Sequence, residues 1–417
     1  MTAVYRNATI YKDGILSVRN VTVREGHLVF IDKLGPEEEA TDHCLILPGL
    51  ADVHVHLREP GFSYKETILT GSQAAAHGGF TGVATMPNLD PVPDSLEHLK
   101  VEQDIIDRDA VIDCYPYASL TVGELGEEIV PIEELAPHVF AFSDDGRGIQ
   151  TADMMRKLME RAAAVDKIVC AHCEINKYSN KGYIHAGNYA RLHGHRGQDP
   201  ESEIAEIRRD IILAEQTGCR YHVCHCSVKE GLDLVRKAKE RGVDVSCETG
   251  PHYLALDDSE LMEQGRFKMN PPLRSAEDRE ALIQGIQDGT IDMIATDHAP
   301  HSFEEKDQGL ANSAFGIVGL ETSFPICYTT LVRTGRITLD RLVEMMAINP
   351  RVRFGVPFRK NDFTVFDLND KYIVHPDEFL SKGRATPFEN WEVYGRCLLT
   401  VHDGEIVWKA DDVEVTE

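Results

Sequence analysis

The chain has no stretch approaching the ~18 to 20 consecutive apolar residues that a membrane span needs, and no run of five or more Lys or Arg. It is short of positive charge altogether: 43 Lys and Arg against 69 Asp and Glu leave a formal net charge of -26 over 417 residues. A field of that sign repels polyanions, which argues against nucleic acid and anionic membrane surfaces as partners. A small charged substrate is still compatible, because a local cationic pocket outweighs a distant net charge screened over roughly 8 Å at physiological salt. Met1 to Thr9 lacks a basic stretch followed by an apolar block, so the sequence predicts a cytoplasmic protein. There is no short-period repeat, low-complexity tract or long Pro- or Gly-rich linker, so its parts are expected to pack tightly together. The ten cysteines are scattered. Several, such as Cys170, Cys224 and Cys247, sit in apolar strand-like runs, where free Cys behaves as a small buried hydrophobe of a reducing compartment. Cys170 and Cys173 form a C-x-x-C without the surroundings a redox pair needs.

With 42% apolar residues the chain can bury a substantial core. Both ends read as β structure. Val21-Thr22-Val23 and Leu28 to Ile31 flank turn signals at Asp13-Gly14 and Glu25-Gly26, while Cys397 to Val401 and Glu405 to Trp408 flank the hairpin signal His402-Asp403-Gly404. Between them, apolar strands alternate with helical segments such as Glu203 to Gln216, a texture that implies a parallel sheet. Eight strand candidates end near His56, Pro87, Tyr117, Asp145, His172, His225, Glu248 and Asp297. Eight closes a barrel, so the predicted fold is α/β, a (β/α)8 TIM-type barrel over residues 49–349. A small β-sandwich-like domain is expected from both chain ends, residues 1–48 and 350–417.

In such a barrel the strand ends converge on one face, and here they are polar. In DVHVHLREPG (52–61), strand alternation points His54 and His56 the same way, so that they can grip one ion together. FSDDG (142–146), VCAHCE (169–174), HVCHCS (222–227) and TDHAPH (296–301) add further imidazoles and carboxylates. The set exceeds what one tetrahedral ion uses and suits zinc, manganese or cobalt, so two divalent ions are implied. Two ions held close need a shared anion. From Val101 to Arg156, across the ends of strands three and four, there is no lysine to be carboxylated for that role. The candidates are Asp144 and Asp145, and alternation with Ser143 and Ala141 favours Asp145 as the bridge. Asp144 is left to orient a ligand or cap the helix after Gly146. Cys173, Cys224 and Cys226 flank the histidines on the opposite strand face and read as structural.

DVHVHLREPG, MPN (86–88), FSDDG, AHCE (171–174), KMNPPLR (268–274) and ATDHAPH (295–301) together resemble the bacterial class I dihydroorotases of the amidohydrolase superfamily. The likeness runs from about Leu47 to Thr334. It implies interconversion of N-carbamoyl-L-aspartate and L-dihydroorotate in pyrimidine synthesis. Two ions, most simply Zn2+, are implied: His54, His56 and Asp297 on one, His172 and His225 on the other, and Asp145 between them. It further implies that Arg58 binds the substrate carboxylate bidentately, with Asn88 and His301 completing the grip. Asn270 would lie at the ring, and the main chain of Phe315 and Gly316 at its amide edge. Arg58 has an alternative as a surface partner of Glu59 or Glu66, and Asn88 and Asn270 as turn formers. His298, on the other strand face from Asp297, reads as a core or supporting histidine. His185, His193, His195 and His252 carry no ligand motif.

Mechanistically, a bridging hydroxide is expected to attack the ring carbonyl while Asp297 carries its proton to the leaving ring nitrogen. The polar stretch Ser302 to Ser313 is a candidate lid. A homodimer and association with aspartate transcarbamoylase are family expectations. Two rival readings are a hydantoinase or dihydropyrimidinase, for which the missing lysine is the discriminating feature, and a metal-free scaffold for a partner enzyme. Phe354 to Asp367 is shorter than in relatives and lacks their Ala-Asp, which predicts a modified small domain.

Overall fold

The computed structural model describes residues 4–12, 14–32 and 41–413; Asp13 of the first turn signal and residues 1–3 of the N-terminal reading lie outside them. The barrel strands are buried on both faces, as in Leu50–Val55 and Phe80–Thr85, where every residue is buried. Their near-continuous apolar runs follow from that double burial. Leu50–Val55, Phe80–Thr85 and Asp113–Pro116 pair in parallel in that order. Val169–Ala171, Tyr221–Val223, Val245–Thr249 and Met293–Ile294 form a second parallel group. The run before Asp145 does not form the full strand expected there: Phe142 alone bridges Ala118 on one side and Val169 on the other. The ring closes where Val55 bridges His298 and the His56 N–H donates to the His298 carbonyl at 2.8 Å.

A buried carboxylate reinforces that closure. Asp52 Oδ1 accepts from the His54 N–H at 3.0 Å and Oδ2 from the Thr296 N–H at 2.9 Å, which ties the first strand to the last. Burial raises its pKa to about 7, offset in part by these bonds. The outer helices start on side-chain caps, which satisfy otherwise orphaned N–H groups. Thr67 caps Ile68–His77, Thr151 caps Ala152–Ala164 and Ser275 caps Ala276–Asp288. Of the two roles left to Asp144, the helix cap is therefore filled by Thr151. The Asp144 carboxylate instead accepts from the Leu120 N–H at 2.6 Å, the Thr121 N–H at 3.0 Å and the Thr121 hydroxyl. It holds the loop after the third strand against the fourth.

The two chain ends meet in one sheet. Cys44–Leu47 is its joint, pairing in parallel with Val4–Lys12 and antiparallel with Phe363–Ile373. Ile15–Arg24 and His27–Ile31 extend it on one side, Glu392–His402 and Glu405–Lys409 on the other. Tyr5, Ile10, Val21, Ile46, Val365, Leu399 and Val401 form its own apolar core. The hairpin tips of its opposite edges touch, so the sheet is curled: a Cβ on Gly26 (φ +69°) would lie 1.5 Å from the Gly404 carbonyl oxygen. The joint strand runs directly into Leu50–Val55, so the small sheet sets the height of the strand that carries His54. Asn349–Phe354 packs below the barrel, with Phe354 stacked on Phe140 at 4.8 Å. The Ser381–Trp391 segment docks on the barrel wall, where Glu66 accepts from the Ser381 hydroxyl and Glu321 from the Leu380 N–H at 2.7 Å. All ten cysteines are buried and unpaired.

Candidate active site

Six residues from five strand ends, two of them from the first, converge at the top of the barrel. His54 Nε2 lies 3.4 Å from Asp145 Oδ1 and 3.5 Å from Asp297 Oδ1. His56 Nε2 lies 3.4 Å from Asp145 Oδ2 and 3.1 Å from Asp297 Oδ1. Across the centre, His172 Nδ1 and His225 Nε2 approach to 2.8 Å of each other and each lies 3.9 Å from Asp145 Oδ1. Asp145 is thus the one carboxylate common to two groups of metal-competent atoms, one with His54 and His56, the other with His172 and His225. Burial would raise its pKa, but the surrounding imidazoles outweigh that and hold it well below its ordinary value.

The tautomers are set from behind. His54 Nδ1 meets Glu248 Oε1 at 2.6 Å, His56 Nδ1 meets Asn88 Oδ1 at 2.8 Å, and His172 Nε2 meets Glu174 Oε2 at 3.2 Å. An imidazole that donates from one nitrogen presents a lone pair on the other, and here each of those lone pairs faces the centre. His54 Nε2 and Asp145 Oδ1 are buried without a hydrogen-bond partner. Orphaned acceptors of this kind are the expected signature of a cation site, and the nitrogen and oxygen donors fit a hard-to-borderline divalent metal. Arg58, His225 and Asp297 hold left-handed φ values of 60°, 33° and 48°. Such strain in non-glycine residues is tolerated where the surroundings over-determine the geometry.

Arg58 is buried rather than paired at the surface. Its Nε donates to the Pro300 carbonyl at 3.2 Å, and a terminal nitrogen lies 3.4 Å from His301 Nε2. Glu59 is instead taken by the Ile68 N–H at 3.0 Å and Glu66 by Ser381, Thr70 and the Lys382 N–H. His301 donates to the Phe315 carbonyl at 2.7 Å, and burial with the charges of Arg58 and Lys65 lowers its pKa to about 3, keeping the ring neutral. Asn88 is no simple turn former, since its amide oxygen serves His56. Asn270 sits at a bend of the chain and also engages the site: its Nδ2 donates to Glu174 Oε2 at 2.7 Å and its Oδ1 accepts from Gln198 Nε2 at 3.0 Å. The Gly316 N–H donates to the Lys268 carbonyl at 3.1 Å and its carbonyl accepts from Lys306 Nζ at 2.7 Å, so its main chain is engaged within the loop here.

The lid candidate is ordered into two single turns, Phe303–Lys306 and Gly309–Asn312. Buried Lys306 fastens it by donating to the carbonyls of Lys268, Ala314 and Gly316 at 3.0, 2.7 and 2.7 Å. His298 is fully buried, with Nε2 3.4 Å from Glu66 and Nδ1 accepting from the Gly319 N–H. His193 and His195 sit by Glu263 at the surface, and His185 and His252 lie outside the metal-competent groups. Sequence reasoning missed Glu248, Glu174 and Gln198. Glu248 stands at the end of the seventh strand and Glu174 closes the AHCE motif, so both carried a positional signal; Gln198 carried none.

A family model described as Dihydro-orotase-like matches residues 43–231. The chain is 44% identical over 423 residues to a dihydroorotase from Geobacillus sp. (strain WCH70), covering 98% of this chain and 99% of that one. The chain belongs to the dihydroorotase family of the amidohydrolase superfamily. Another member, a dihydroorotase from Bacillus cereus (strain B4264), is 47% identical over 379 residues, 89% of either chain. Among solved structures, the L-hydantoinase (dihydropyrimidinase) from Arthrobacter aurescens superposes with a TM-score of 0.82 at 24% identity, covering 99% of both chains. That likeness carries the barrel and its appended β sheet. The family is metal-dependent, in keeping with the His and Asp groups at the strand ends. Among the described residues no helix is long and apolar enough to cross a membrane.

Proposed function

We propose that this dihydroorotase-family chain interconverts N-carbamoyl-L-aspartate and L-dihydroorotate, with His54, His56, Asp145, His172, His225 and Asp297 holding two divalent ions, most simply Zn2+. The observation that carries the ion pair is Asp145, one carboxylate shared by two pairs of imidazoles. When bound, such ions lower the pKa of a water toward neutrality and polarise the carbonyl under attack. The protein's own residues do the rest. Arg58, with Nε fixed on Pro300, keeps its terminal nitrogens for the substrate carboxylate. Neutral His301 and the Asn88 amide flank that carboxylate, while Asn270, Phe315 and Gly316 border the ring. Asp297 moves the proton: its Oδ1 faces His56 and His54. From that position it takes a proton from the attacking water and returns it to the ring nitrogen as the C–N bond breaks. In the reverse direction it takes the carbamoyl N–H proton as the ring closes and passes it to the departing carboxylate oxygen, which leaves as water with one further proton from solvent.

A hydantoin or dihydropyrimidine substrate is the competing reading, and the buried Arg58 beside the cleft disfavours an uncharged ring. The test is ring opening of L-dihydroorotate by purified protein, with metal content measured on the same sample and dihydrouracil and hydantoin run beside it. Turnover confined to dihydroorotate with about two ions per chain is expected. Turnover of the uncharged rings instead would overturn the reading. The family resemblance also supports a cytoplasmic homodimer and association with aspartate transcarbamoylase, which sedimentation of the chain alone and with that enzyme measures.

A further inference from the structure

In a chain with 69 acidic residues, the 24 positions from 175 to 198 contain none. They carry Lys177, Lys181, Arg191 and Arg196, with His185, His193 and His195. This segment is the excursion between the fifth barrel strand and the helix Glu201–Thr217. It folds into the short helices Asn176–Ser179 and Asn188–His193 and a small pairing of Ile184–His185 with Gly197–Gln198. The four cations are exposed, and none forms an ion pair among the described residues. Of the outside carboxylates that reach the segment, Glu263 is taken by His195 at 2.9 Å, Tyr189 at 2.8 Å and His193 at 3.8 Å, while Asp258 lies against Gly187, where a Cβ would be 2.1 Å from its Oδ2.

Two contacts put the segment on the edge of the cleft. Gln198 holds Asn270, as above. The Tyr183 ring lies 5.1 Å from the Lys268 ammonium and 5.9 Å from the Arg196 guanidinium. Lys268 in turn lies 4.4 Å from the ring of Phe315, whose carbonyl takes the His301 proton. Arg196 is close enough that, after burial, its charge is what lowers the Lys268 pKa. Arg196 and Lys268 therefore stand together on this edge, a local concentration of cations in a molecule that as a whole is strongly negative.

We propose that residues 175–198, with Arg196 at the rim, form a cationic collar that draws anionic substrate to the cleft against the field of a protein of net charge -26. The identity of the anion rests on the dihydroorotase reading. Focused potential of this kind raises local anion concentration in proportion to ligand charge. N-carbamoyl-L-aspartate carries two carboxylates and L-dihydroorotate one, so the collar acts on the first with twice the logarithmic effect.

The experiment compares wild type with the combined variant Lys177→Gln, Lys181→Gln, Arg191→Gln, Arg196→Gln, none of which touches the metal-competent groups. At roughly 10 mM ionic strength, where screening reaches about 30 Å, kcat should be unchanged. There kcat/KM should fall about threefold for dihydroorotate and about tenfold, its square, for N-carbamoyl-L-aspartate. Both losses should vanish at about 1 M salt, where screening reaches only about 3 Å. Equal losses for the two substrates, losses that salt leaves intact, or no loss would overturn the collar. Calorimetric binding of succinate and of its monoamide, succinamate, to the metal-loaded proteins supplies a reading independent of turnover. If wild type turned over neither substrate, the dihydroorotase reading would fall. Salt-sensitive weakening greater for succinate than for succinamate would still support the collar, and equal binding to both proteins, or none to wild type, would overturn it.

Discussion

Replacing Glu248 with Gln keeps the volume of the side chain behind His54 and removes its charge. Glu248 Oε1 accepts from His54 Nδ1 at 2.6 Å and from the His225 N–H at 3.2 Å, while Oε2 faces His222 Nε2 at 3.0 Å. Burial would raise this carboxyl, but His54 and His222 outweigh it and keep it ionised. A glutamine keeps one carbonyl oxygen for His54 and turns its NH2 toward His222. His222 relieves that clash by moving its proton to Nδ1, because the Ser246 hydroxyl 2.8 Å away accepts as readily as it donates. What is lost is therefore the charge that fixes the His54 tautomer and strengthens its lone pair, a charge-assisted bond worth about 1.5–3 kcal/mol. Substitutions behind a metal-binding histidine typically weaken metal affinity about 10–100-fold, or about 1.4–2.7 kcal/mol. Competition of the reloaded apoprotein against a chromophoric zinc chelator reads this directly, and the ion on the His54 side should weaken first. Affinities unchanged within about twofold, in a variant of wild-type thermal stability, would refute the argument.

Asp297→Asn should retain metal and lose about 10²–10⁴ in turnover, the usual worth of a positioned acid–base group; near-normal turnover with metal bound would remove Asp297 from proton transfer. Lys306→Met leaves three loop carbonyls without their donor, at about 0.5–1.5 kcal/mol per bond. It should speed proteolysis within 302–313 and raise KM more than it lowers kcat, and unchanged cleavage and kinetics would show that the loop is held otherwise. His402, 3.2 Å from Asp362 and 3.5 Å from Asp113, ties the C-terminal hairpin to the barrel floor. Burial lowers its pKa, but the two carboxylates outweigh that and raise it from 6.5 to about 9. A raised imidazole stabilises the fold fully below its unfolded pKa and loses that contribution as pH rises through the folded one. Chemical denaturation should accordingly show about 1–2 kcal/mol lost between about pH 6.5 and 9, after allowance for solvent at the site. His402→Gln should flatten that slope, and an unaltered slope would count against the assignment.

The sequence by itself determined the barrel, because strands buried on both faces must be continuous apolar runs and their ends must change to polar residues where they emerge into the cleft. It also grouped His54 with His56, which follows from the two-residue period of a strand, and preferred Asp145 to Asp144 on the same period, although the strand assumed there does not extend past Phe142. The glycine and aspartate turn signals at both chain ends placed the hairpins of the outer sheet for the same local reason. Tertiary structure decided what no local period encodes. Asp144 lies one residue from the site but bonds across to Leu120 and Thr121, where the sequence left it to orient a ligand or cap a helix. The fourth strand has the right residues yet forms only through Phe142. Glu248, Glu174 and Gln198 gain their roles from partners 194, 96 and 72 positions away. A side chain's partner across a closed barrel is set by the register of strands and the packing of loops. Those are long-range properties that the order of residues fixes only once the whole chain has folded.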